Sequence, residues 1–129
     1  MSIGGPTRRD RSSRQPDGGR TPLDELLDAF GHSTRRRILS HLRDHGVASL
    51  DELATQVAAW ESGAPPDEVP AGQRDRAAAT LAHTHLPKLA EAGCIEYDAR
   101  SRTARYGDPS ALVDLLVLLL ARFEDEPST

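Results

Sequence analysis

The chain has 129 residues, 37% of them hydrophobic and 28% charged, with a net charge of −4; that is the composition of one water-soluble domain and too little chain for two. The charge is unevenly placed, because residues 1–20 hold five arginines against two aspartates, or +3, which leaves −7 on the remainder. A protein that coats nucleic acid by bulk positive charge is thereby excluded, and any anionic partner must be met by a local patch.

Residues 1–20, MSIGGPTRRDRSSRQPDGGR, offer almost nothing to bury and read as a disordered basic tail without the apolar stretch of a signal peptide. A folded domain is expected over 21–124, and 125–129 read as a second disordered end. Leu23, Leu26, Leu27 and Phe30 recur at i, i+3, i+4 and i+7, an amphipathic helix that Gly31 closes. Ser33 offers the N-cap of a second helix whose buried stripe is Ile38, Leu39 and Leu42 and whose stop is Gly46. Ser49 and Glu52 form a capping box, which predicts a short helix over 50–60. Prolines 65, 66 and 70 then exclude a regular element from the loop over 61–72.

A longer helical pattern covers 73–92. At ~100° per residue, Ala78, Ala82, Leu86 and Leu89 share an inward face flanked by Leu81 and His85. Arg76, Thr80, His83, Thr84, Pro87 and Lys88 occupy the opposite side. Pro87 lacks an N–H, so the His83 carbonyl should lose its partner and the helix should bend or open there. After Gly93, residues 95–106 alternate as two short strands around a turn at 99–101. Asp108 and Pro109 announce a last helix over 110–124. Its apolar run, 112–123, is interrupted by Asp114 and Arg122 and is shorter than the ~20 residues a membrane span requires.

Four helices, a hairpin and a final helix make a mainly α fold with a small β-hairpin, the order of a winged helix-turn-helix flanked by N- and C-terminal helices. Two stretches carry a family resemblance. FGHSTRRRILSHL, from Phe30, resembles the entry into the helix-turn-helix of ArsR-like regulators, and HLPKLAEAGCIEY, from His85, resembles their passage from recognition helix to wing. Over 23–106 the chain is most similar to an uncharacterised winged helix-turn-helix family abundant in haloarchaea. The acid excess and the single lysine, Lys88, suit a GC-rich genome of a salt-accumulating archaeon, or equally of an actinobacterium. Two features depart from the ArsR pattern. The turn before the recognition helix is some twelve residues instead of a few, and the paired cysteines of metal-sensing members are missing, Cys94 being the only thiol.

The expected function is binding of double-stranded DNA by a cytoplasmic transcription regulator. Arg76, Thr80, His83, Thr84 and Lys88 would face the groove from the recognition helix. Arg100, Arg102 and Arg105 of the wing, with Arg35 and Arg36 of helix two, would reach phosphates. Arg35, Arg36 and Arg37 stand in a first helical turn, where the helix dipole disfavours cations, which hints at a compensating anion. The same residues also admit plainer roles: the helix face as solvated surface, the wing arginines paired with Glu96 and Asp98, and the Arg35–Arg37 run bridged to Asp28 or Asp44.

His41 and His45, at i and i+4, lack a third ligand nearby, so no metal or other cofactor is expected. His85 reads as half-buried packing toward Leu81 and Leu89, and Cys94 as an inert small hydrophobe. Leucines surround most of the last helix, so a homodimer is expected through Leu112, Leu115, Leu116 and Leu119 together with Leu23, Leu27 and Phe30. The alternative function is a winged-helix protein-interaction module that never touches DNA. An enzyme finds no support, because no nucleophile–base pair, phosphate-cradling glycine loop or carboxylate dyad is present.

Overall fold

The computed structural model describes residues 21–125; the tail expected over 1–20 and residues 126–129 of the expected disordered end lie outside the described residues. Helix α1 (Pro22–Phe30) begins at a reciprocal cap in which the Thr21 hydroxyl accepts from the Asp24 amide and the Asp24 carboxylate from the Thr21 amide. Helix α2 (Ser33–His45) is capped by His32 and not by Ser33: the His32 Nδ1 accepts from the Thr34 amide at 3.2 Å. Gly46 ends α2 as expected, at a φ of +87° that side chains disfavour.

A strand absent from the sequence reading follows, β1 (Val47–Ser49). Helix α3 (Leu50–Ser62) then starts at the expected capping box and runs two residues beyond 60. The 61–72 segment is less irregular than its prolines suggest, since it holds a single 3₁₀ turn at Pro66–Glu68 and the first residues of the next helix. That helix is α4 (Ala71–Thr80), which passes through a π turn (Leu81–His85) into α5 (Leu86–Glu91), with helical dihedrals at each junction. We call the whole run 71–91 the rod. Pro87 accounts for the π turn. Its ring displaces the His83 carbonyl and supplies no amide, and the chain answers with a bond from the Leu86 amide back five residues to the Leu81 carbonyl.

The expected hairpin is β2 (Glu96–Asp98) and β3 (Thr103–Arg105), but it belongs to a three-stranded antiparallel sheet of order β1-β3-β2. Ala48 and Ala104 pair at the centre, each essentially inaccessible to solvent. The bonds Leu50 N–H to Arg102 O and Tyr106 N–H to Gly46 O, both 2.8 Å, extend the pairing beyond the ladder. Helix α6 (Ala111–Asp125) closes the described chain, so Asp125 is helical and not the start of a disordered end.

One core joins these elements. Ile38, Leu39 and Leu42 of α2 meet Leu53 and Val57 of α3, Leu81, Leu86 and Leu89 of the rod, and Val113 and Val117 of α6. Each such side chain contributes ~1.5–3 kcal/mol by leaving water. The inward stripe of the rod differs from the predicted one. Ala77, Leu81, His85, Leu86 and Leu89 are buried, whereas Ala78 and Ala82 are only half-buried. The π turn takes up one extra residue, so side chains beyond it are set back by about 100° from their places on a continuous helix.

Candidate nucleic-acid interface

The rod packs along α3 and the hairpin stands beside it, so one side of the rod is left uncovered. Arg76, Thr80 and His83 are exposed on that side, and so are Asp75 and Ala79, whereas Arg74, also exposed, stands ~200° round the helix from Arg76. They divide between two depressions. Arg76 and Thr80 line a cleft against α3, while His83 lines a groove against the wing, together with Ala79, Ala82, Tyr97 and Arg102. Thr84 and Lys88 do not share this surface as fully as predicted, because the π turn sets them back and both are half-buried. The Lys88 Nζ donates to Asp28 Oδ2 of α1 at 2.9 Å.

At the wing tip, Asp98 Oδ1 accepts from the amides of Arg100 and Ser101, closing the turn. Arg102 follows at a φ of +57°, an unusual conformation for a side-chain-bearing residue. Its guanidinium lies 3.6 Å from Asp51, and that of Arg105 lies 3.9 Å from Glu96 directly across the hairpin. These are weak, solvent-screened pairs that an incoming phosphate can displace. Arg100 is exposed and has no ion pair among the described residues.

The arginines of α2 are spent differently. Arg35 is 6% exposed. Its guanidinium donates to the carbonyls of Asp28 and Ala29 and to His85 Nδ1, and it lies 3.6 Å from the Asp28 carboxylate. It cannot reach a phosphate from there, because it satisfies the carbonyl end of α1. Arg36 donates to the Phe30 carbonyl at 2.7 Å, performing the same service one residue on. Arg37 lies 5.8 Å from the Trp60 ring, a cation–π distance.

His85 is fully packed rather than half-buried, and its ring sits 4.9 Å from that of His32. Burial, followed by the charge of Arg35, lowers its pKa to about 4, so it is neutral at ordinary pH. His41 and His45 stack at 4.2 Å, and burial lowers the pKa of His41. Among the described residues no three His, Cys, Asp or Glu side chains are grouped to hold a metal ion. Burial pushes the Cys94 thiol up to about 11, which leaves it unreactive.

Helix α6 lies on α2 through Val113 and Val117. Asp114 fixes it there, accepting from Arg43 Nε and from the Tyr106 hydroxyl at 2.9 Å each, and these bonds hold its carboxyl below the usual range. The opposite stripe is uncovered: Leu112, Leu115 and Leu119 are each about half exposed and Phe123 is 74% exposed. Leu116 and Phe30 are half-buried, whereas Leu23 and Leu27 of α1 are both 62% exposed. No helix among the described residues is long and apolar enough to cross a membrane.

The model of one protein family, the domain of unknown function DUF7344, matches residues 27–105. The chain belongs to that family. No curated protein and no solved structure matches the sequence. The span matched by DUF7344 runs from the end of α1 to the last residue of β3, so the rod, the wing and the Arg35 contacts all fall within it, and α6 falls outside.

Sequence reasoning overlooked Arg74, Asp75 and Tyr97 of this DUF7344 domain. Arg74 and Asp75 fall within the helix predicted over 73–92, and their charge was signal enough to expect them exposed. Tyr97 carried no signal, because only the pairing of β2 beside the rod places it in the groove.

Proposed function

We propose that this chain is a cytoplasmic DNA-binding transcription regulator, acting as a homodimer and related in kind to the ArsR-like proteins its sequence resembles. One observation carries the reading: the rod leaves Arg76, Thr80 and His83 exposed, and His83 lines a groove against a hairpin whose tip presents Arg100 and Arg102. A helix with short polar side chains on its free side fits a major groove, and arginines at a wing tip suit flanking phosphates. In this reading Thr80 and His83 meet base edges, while Arg76, Arg100 and Arg102 meet the backbone. Pairing of two chains through the leucines of α6, with Leu23 and Leu27 of α1 contributing, would present two rods to successive turns of the duplex, roughly 34 Å apart.

With about three phosphate contacts and an acidic body, log Kd should change with log salt at a slope of about 3, shallow for a DNA-binding protein. Fluorescence anisotropy with genomic fragments over a salt series tests this. Binding by the wild type that is weakened in Arg100→Ala supports the reading, and no binding to any fragment at low salt overturns it. A second reading, a protein-interaction module, is favoured by Asp75, whose exposed carboxylate lies on the uncovered side of the rod and would repel phosphate. Co-purification of a protein partner by a chain that leaves DNA unshifted would establish that reading instead.

A further inference from the structure

Between α3 and the start of the rod lies an open cleft of about 400 Å³, within the size range of small-molecule sites. Val57, Ala58 and Ala77 give it an apolar, buried floor. Its polar groups are Arg76, Thr80 and His85 on the rod and Glu61 on the facing wall of α3.

His85 is the informative member. The Arg35 guanidinium, 3.3 Å from its Nδ1, can only donate, so Nδ1 accepts and the ring proton sits on Nε2. That N–H belongs to a residue 6% exposed that lines the cleft, and it has no hydrogen-bond partner among the described residues. A buried donor without an acceptor points to a bound one. Arg76 and Glu61 supply opposite charges to the same space and neither forms an ion pair among the described residues. An anion alone would face the Glu61 carboxylate, and a cation alone would face Arg76.

We infer that the cleft binds a small zwitterion of the α-amino acid class, its carboxylate received by Arg76 and the His85 Nε2–H and its ammonium by Glu61. The apolar floor takes a short side chain, and Thr80 offers a hydroxyl at the mouth. Such a ligand touches both α3 and the rod, the two helices whose connection is the long 61–72 segment, so its binding tightens their relative setting. If the DNA-binding reading holds, the amino acid is an effector that withdraws Arg76 from the phosphate assigned to it above; the binding itself does not depend on that reading.

The test uses the full-length chain without DNA. Thermal unfolding is followed with each of the twenty standard amino acids at about 10 mM, and any stabilising member is carried to calorimetry. At ten times its Kd a true ligand raises Tm by about 5 °C. Its amine-only and acid-only counterparts bind at least about tenfold more weakly, as expected when one charge pair is lost. Arg76→Gln and Glu61→Gln each weaken binding by about tenfold, and Ser62→Phe, which fills the mouth from an exposed position, abolishes it. Absence of a shift with all twenty overturns the inference, as does a shift undiminished in all three variants. An acid-only counterpart binding as tightly as the amino acid overturns the zwitterion assignment. Failure here with DNA binding intact would leave the function proposed above standing, and the converse result would leave the ligand site standing.

Discussion

The corner where α1 meets α2 and the tip of the wing are both rich in arginine, and they use it in opposite ways. At the corner, Arg35 is enclosed and its donors are directed at two backbone carbonyls and a neutral imidazole. At the tip, Arg100 and Arg102 are exposed, and the one ion pair they form among the described residues spans 3.6 Å in water. Low dielectric makes the first arrangement costly to disturb, and solvent makes the second cheap to rearrange. Cationic residues therefore mark a structural clasp in one place and a solvated, easily rearranged surface in the other.

Substitutions separate the two. Arg35→Met should cost the most, about 3 kcal/mol in urea unfolding, because it removes the donors that serve the Ala29 carbonyl and His85 Nδ1 and leaves the Asp28 carbonyl only the 3.4 Å bond from the Gly31 amide. Arg100→Ala measured in the same way should stay within about 0.5 kcal/mol. Equal losses would erase the contrast.

A pH series sharpens the corner further. His85 has a folded pKa of about 4 against an ordinary 6.5, so between these values the unfolded chain binds the extra proton. Stability from this group is thus complete above pH 6.5 and falls as the pH drops toward 4, by on the order of 2 kcal/mol. His41, whose pKa is also lowered, adds a smaller slope of the same sign. In His85→Gln the larger part of the slope should vanish, and a slope equal to wild type would assign it elsewhere.

At the tip, the proposed DNA contact is tested in binding. Arg100→Ala should lower DNA affinity by about tenfold and reduce the salt slope by about 1, read by anisotropy. Lys88→Gln, which loses a half-exposed pair with Asp28, should cost about 0.5 kcal/mol of stability and leave affinity unchanged. The least costly change to the fold is Leu115→Ser with Leu119→Ser, both on the uncovered side of α6. It should alter monomer stability by less than about 0.5 kcal/mol while sedimentation shifts from dimer to monomer mass. A dimer that survives both would place the interface elsewhere.

Much of the architecture was legible because it rests on local chemistry. The Ser49–Glu52 box, the Gly46 stop and the alternation of 95–106 each act within a few residues, and the structure shows each of them. Strand β1 was not legible, since Val47–Ser49 is three residues without alternation and exists only through its pairing with β3. The candidate site was partly legible. Thr80 and His83 are exposed as predicted, but Arg35, alike in sequence to Arg36 and Arg37, gave no sign that the end of α1 would enclose it. Lys88 was misplaced because a uniform 100° per residue does not hold across a π turn.

By itself the sequence determined the helices and the 95–106 hairpin, the Ser49–Glu52 cap and the Gly46 stop, and that Pro87 must interrupt the helix over 73–92, because these follow from backbone hydrogen bonding over one or two turns. Only the tertiary structure decided which cations are buried and which stay free, and that His85 shares a cleft with Arg76 and Glu61. Those outcomes depend on side chains far apart in the chain, fifty positions for Arg35 and His85, meeting in a desolvated space, where a partner's distance, and not its place in the chain, sets the energy.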